Sequence, residues 1–137
     1  MNRSTLQQLA RTRLKESRVL LRKGCYGGAY YLAGYAVECG LKACIAKKTE
    51  RHDFPDKRVV DASYTHDLSK LAKVAGLEHE LEQQSKAVPA FGRNWAVVKD
   101  WTEESRYQPS GVRKAHDLYS AIASRQHGVM RWIRQHW

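Results

Sequence analysis

Long apolar runs are missing from this chain of 137 residues. Its longest uncharged stretch, which ends at Val37, falls short of the roughly 20 residues a membrane helix needs, so no membrane association is expected. Cysteine is scarce. Cys25, Cys39 and Cys44 are odd in number, form no C-x-x-C pair and lie in or beside an apolar segment, so they read as small buried hydrophobes of a reducing compartment. No histidine pair with a carboxylate has metal-ligand spacing, and no metal or cofactor is expected. Neither G-x-x-x-x-G-K-[ST] nor G-x-G-x-x-G occurs, which leaves Gly27 and Gly28 as a helix entry rather than a phosphate loop. No segment alternates apolar and polar residues long enough to make a strand, and there is no internal repeat or low-complexity tract. The opening MNRSTLQQLARTRLK is polar and helical, unlike a secretory leader, and a cytoplasmic protein is expected. Acidic residues are also in the minority, 14 against 24 Lys and Arg, for a formal charge of +10. Such a surface attracts polyanions, nucleic acid among them.

What is present is helical. Ser4 is positioned to cap a first helix, with Leu6, Leu9, Ala10, Leu14, Leu20 and Leu21 inward, ending near Gly24. Its other face carries Arg3, Arg11, Arg13, Lys15, Arg18 and Arg22. A second helix from about Tyr26 to Lys48 is apolar on nearly every side, the mark of a central helix. Residues 49–64, with Pro55 and many charges, read as a mobile crossover or a short irregular excursion. Thr65 is expected to cap the next short helix, with His66 in its first turn, followed by helices from Glu78 to Lys86 and from Pro89. A turn-rich stretch holds Trp101, Arg106 and Tyr107, and a final helix after Ser110 has a possible break at Gly128. The length suits one domain over residues 1–137, and the fold class is all-α, an antiparallel bundle of four to five helices.

Within the second helix, Ala29, Ala33, Ala36, Gly40 and Ala43 form a stripe of small residues where another helix can approach closely. Beside it Tyr31, Tyr35, Glu38 and Lys42 gather the polar groups on one face. Two readings of Glu38 stand open. It pairs with Lys42 one turn on, at a partly exposed edge, or it sits inside a cleft where its charge requires an arginine or several donors from elsewhere, Arg106 being the candidate.

The succession AYYLAGYAVECGLKACIA, THDLSKL and WTEESRY before a long final helix resembles the small HEPN domains of prokaryotes, over nearly the whole chain. The resemblance implies a helical bundle that is usually dimeric and often encoded beside a small nucleotidyltransferase. It implies either metal-independent RNA cleavage or binding of RNA or a nucleotide without cleavage. Cleaving members carry an arginine and, a few residues later, a histidine at the mouth of a dimer cleft. Only Arg131 and His136 have that spacing here, at the very end of the chain rather than near the start of the final helix. The binding reading places Arg106 on phosphate, Tyr107 and Tyr35 in stacking or hydrogen bonding, and Glu38, beside Lys42, on Arg106. The expected function is therefore RNA or nucleotide binding in a basic cleft, within a toxin–antitoxin or defence module with a nucleotidyltransferase partner. A ribonuclease toxin acting through Arg131 and His136 is the enzyme alternative, and a purely interactive partner of a nucleotidyltransferase is the third. Trp132 and Trp137, near an exposed helix end, lead to the expectation of a homodimer that buries them.

Overall fold

The computed structural model describes residues 1–50 and 56–137. Eight α-helices and one 3-10 turn account for the regular structure, with no strand among the described residues. In chain order they are α1 (Arg3–Arg22), α2 (Tyr26–Glu50), α3 (Lys57–Ala62), α4 (Leu68–Val74), α5 (Glu78–Ala87), α6 (Pro89–Val98), the 3-10 turn (Glu103–Tyr107), α7 (Val112–Ala123) and α8 (Val129–Arg134).

The long pair α1 and α2 forms the spine. α1 buries Leu6, Ala10, Leu14, Ser17 and Leu21, a stripe at helical spacing, and its polar remainder faces out. It ends where Gly24 takes φ +80°, the left-handed value that glycine adopts without a Cβ penalty. That residue lets Cys25 N donate to Leu20 O at 2.8 Å and Gly24 N to Leu21 O at 3.2 Å, so two end carbonyls are satisfied and the chain reverses into α2. Ser17, buried on α1, donates to Ala29 O on α2 at 2.6 Å and ties the two together.

α2 is the central element expected from its composition. It packs on α1, α4, α7, α8 and the 3-10 turn, and Ala29, Ala33, Ala36, Gly40 and Ala43 are all buried. The small stripe works as anticipated at Gly40, where a Cβ would sit 3.0 Å from Ile133 of α8. Pro89 opens α6, and the final helical stretch breaks into α7 and α8 with Gly128 as the α8 cap.

Three local expectations are corrected. Asn2, not Ser4, caps α1, its side chain accepting from Thr5 N at 2.8 Å. Asp67, not Thr65, caps α4, accepting from Lys70 N at 3.1 Å, so His66 precedes the helix instead of lying in its first turn. In each case an Asn or Asp stood near the expected Ser or Thr, and caps of these types are nearly equivalent in strength. The stretch read as a crossover contains α3, capped by Asp56; its residues 51–55, Pro55 included, lie outside the described residues.

Burial also governs thiol chemistry. Desolvation, with Glu38 adding to it, pushes the Cys39 thiol up to about 11, and desolvation pushes Cys44 up to about 12; Cys25, expected to be buried with them, is instead exposed in the turn between α1 and α2. Both buried thiols stay protonated at neutral pH, and the thiolate is the nucleophile. A disulfide reagent at pH 8 is expected to titrate one thiol per native chain and three in denaturant; fast reaction of more than one native thiol would contradict the placement of Cys39 and Cys44.

Candidate functional site

Glu38 is 2% exposed, so the second of the two readings describes its burial and the first names one of its partners. Lys42 Nζ lies 3.2 Å from Glu38 Oε2, one helical turn along α2. The other oxygen, Oε1, is 2.9 Å from His66 Nδ1. Each carboxylate oxygen thus has its own donor, which is what allows the group to sit inside the fold. Arg106 is not that donor. It is exposed, with its guanidinium carbon 4.7 Å from the Tyr107 ring centroid, and the Tyr107 and Tyr31 phenols flank it and favour its charged form. The expected Glu38–Arg106 contact is replaced by Glu38–His66, because the loop before α4 brings the imidazole to α2 while the 3-10 turn holds Arg106 further out.

His66 continues the chain of contacts. Its Nε2 is 3.1 Å from Glu103 Oε2 on the 3-10 turn, so both ring nitrogens face carboxylate oxygens. Only the doubly protonated imidazolium donates to both. In the row Lys42, Glu38, His66, Glu103, the buried Glu38 is flanked by partners that each reach the surface.

An aromatic wall flanks this row. Tyr31 and Tyr35 stack with centroids 6.1 Å apart and planes 18° apart, and Tyr31 lies 6.1 Å from Trp101. Burial first, then neighbouring Cys39, raises the Tyr35 phenol above its ordinary value, so it is a hydrogen-bonding hydroxyl at neutral pH. Trp101 seats against Gly34 of α2 and is 2% exposed. Trp101 Nε1 and Ser105 Oγ are buried without a hydrogen-bond partner among the described residues. In front of Trp101 opens a cleft of about 320 Å³, lined by Thr65, His66, Lys99, Thr102, Glu103 and Glu104 among others. A larger groove of about 580 Å³ between α4, α5 and α6 shares only Asp67 and Lys99 with it and carries none of the buried polar row.

Of the residues singled out from sequence, the structure gathers Tyr35, Glu38 and Lys42 on one face of α2 and sets Arg106 and Tyr107 on the packed 3-10 turn beside it. It does not gather Arg131 and His136. Arg131 donates to Arg125 O at 2.6 Å and Gln126 O at 3.3 Å, bracing the turn before α8. His136 lies past the end of α8 with its ring 4.5 Å from Trp132, and burial lowers its pKa from the usual imidazole value. Trp132 and Trp137 are corrected as well. Trp132 packs on Phe91 and is 7% exposed, while Trp137 is 8% exposed under Arg11, its main-chain oxygen accepting from the Arg3 guanidinium at 2.9 Å. Both indoles are buried by their own chain and offer no free surface for the expected homodimer.

Glu103 and Gly34 are the members sequence reasoning missed, together with the pairing of His66 to Glu38. The signal available for His66 was the demand of a buried carboxylate for a donor, but nothing local distinguishes it from Arg106 as the supplier. No group of three or more His, Cys, Asp or Glu among the described residues is arranged to hold a metal, and no helix among them is long and apolar enough to cross a membrane. The family model of the HEPN domain matches residues 4–135. No curated protein and no solved structure matches the chain.

Proposed function

From the premise that the chain belongs to the HEPN domain family, we propose that it binds a phosphate-bearing ligand, RNA or a nucleotide, where the 3-10 turn meets α2. The observation that carries the reading is the exposed Arg106 lying on the exposed Tyr107, beside the Tyr31, Tyr35 and Trp101 wall. A guanidinium is a planar donor for phosphate, and an aromatic face beside it accepts a base by stacking. The net charge of +10 supports the same class of ligand, as do Arg11, Lys15, Arg18 and Arg22, all exposed along α1. Glu38 and Lys42 hold the frame, and Tyr35 offers its hydroxyl. The homodimer, the nucleotidyltransferase partner and the toxin–antitoxin or defence setting enter the proposal on family membership, since domains of this family often pair. Cleavage through Arg131 and His136 forms no part of it, because each of those side chains is engaged separately.

Titration of a labelled single-stranded RNA and of ATP tests the reading. R106A is expected to weaken binding by about 1 to 3 kcal/mol with the helical circular dichroism unchanged, and added salt to weaken the RNA complex further. Equal affinity in R106A and wild type would remove Arg106 from the site.

A further inference from the structure

We propose that Nε2 of His66 is the anchor for a ligand phosphate oxygen, and that the Glu103 carboxylate resting on it is an internal competitor which the ligand displaces. The inference rests on the phosphate-binding reading above and names the atom at which the phosphate docks.

The two carboxylates on His66 are not equivalent. Glu38 is 2% exposed on the central helix, 2.9 Å from Nδ1, and has no route to water; it fixes the ring and aims Nε2 outward. Glu103 has 38% of its side chain exposed and sits on a five-residue 3-10 turn. Such turns have strained hydrogen bonds, and a carboxylate at that exposure recovers its hydration readily when released. The bond at 3.1 Å to Nε2 is therefore the exchangeable one.

A phosphate oxygen offers the same acceptor chemistry as the carboxylate, with more charge to share among neighbouring donors. Those donors are at hand. Arg106 stands three residues after Glu103 on the same exposed turn, its guanidinium on the Tyr107 ring and beside Tyr31 at the edge of the cleft. Lys99 lines the cleft with His66, and the cleft's volume of about 320 Å³ leaves room for the incoming group. A surface pair that only braced the turn would predict the opposite sign on removal of Glu103, namely unchanged or weaker binding through a loosened Arg106.

The test uses the full chain and two probes, a fluorescein-labelled single-stranded RNA without terminal phosphates, read by anisotropy, and ATP, read by calorimetry. E103A is expected to bind at least one of them about tenfold more tightly. A stronger gain for ATP identifies a terminal phosphate as the group accepted, and a stronger gain for RNA a diester. E104A measures the effect of charge alone, since it removes a carboxylate from the same cleft but not one paired with His66; its gain in affinity is expected to stay within about twofold, well below that of E103A. H66N keeps a donor toward Glu38 but loses Nε2. It is expected to bind about tenfold more weakly and to erase the gain in the H66N/E103A double variant. A gain in E103A no larger than in E104A, or one that persists in the H66N background, would overturn the assignment. Wild-type protein that binds neither probe would instead overturn the phosphate reading beneath it, and the two failures are thereby distinguished.

Discussion

Gly34→Ala lowers the unfolding free energy of this protein by about 2 kcal/mol or more, and Gly34→Val prevents folding. Two opposed effects decide the sign. Alanine in a helix interior is favoured over glycine by about 1 kcal/mol. Against that, a Cβ at position 34 would lie 2.2 to 2.3 Å from three atoms of the Trp101 indole. Forcing an extra methyl into a packed site costs about 1 to 3 kcal/mol and occasionally more, and here the obstacle is a rigid ring only 2% exposed, with no flexible end to swing aside. Steric cost therefore wins. Gly27 is the internal control, because a Cβ there meets nothing within 4 Å, and G27A is expected to be neutral or slightly stabilising. Trp101→Ala alone should cost about 3 to 5 kcal/mol, but in its background the G34A penalty should disappear, giving strong non-additivity. Urea unfolding followed by circular dichroism measures wild type and each of these variants. A G34A protein as stable as wild type would mean that Trp101 does not seat on α2, and the aromatic wall of the cleft would lose its support.

Glu38→Ala is the second large effect, a loss of about 2 to 3 kcal/mol. Breaking a fully buried ion pair costs about 3 to 5 kcal/mol, because it strands the partner's charge. Here the stranded partners keep some access to water, Lys42 with 23% and His66 with 44% of the side chain exposed, so the expected cost falls to the bottom of that range and below it. Glu38→Gln retains the shape and one acceptor and should lose less. Glu104→Ala, on an exposed residue with no ion pair among the described residues, is expected within about 0.5 kcal/mol of wild type. The Glu38 contribution should also survive high salt, since a pair this buried is little screened. An E38A protein within about 0.5 kcal/mol of wild type would show that the carboxylate carries no structural weight. The effect is structural in origin yet reaches the site, because Glu38 is what holds the His66 ring at a fixed angle.

The sequence by itself determined the all-helical character, because the apolar residues of α1 recur at helical steps and a chain this short of alternation has no basis for strands. It also determined that α2 is central, since a helix apolar on every side must be covered on every side. Family membership was legible for the same reason: the run AYYLAGYAVECGLKACIA is contiguous, and it records local spacing. At the site, the Glu38–Lys42 step was readable because residues four apart on a helix are neighbours whatever the rest of the fold does.

Tertiary structure alone decided the rest. His66 stands 28 residues from Glu38, and no periodicity links a loop residue to a helix face across that distance; only the docking of α4 on α2 brings them within 2.9 Å. The choice of His66 over Arg106 turned on where the 3-10 turn sits, and both residues were chemically able to neutralise a carboxylate. Trp101 found Gly34 because α2 and the segment after α6 meet there, a contact no local pattern encodes. Trp132 and Trp137 were read as a free surface because their covers, Phe91 on α6 and Arg11 on α1, are remote in sequence. Short-range order follows from bonded geometry and the helical repeat, whereas the partner of a buried charge or ring is settled only when the helices have packed and every polar group has found its donor.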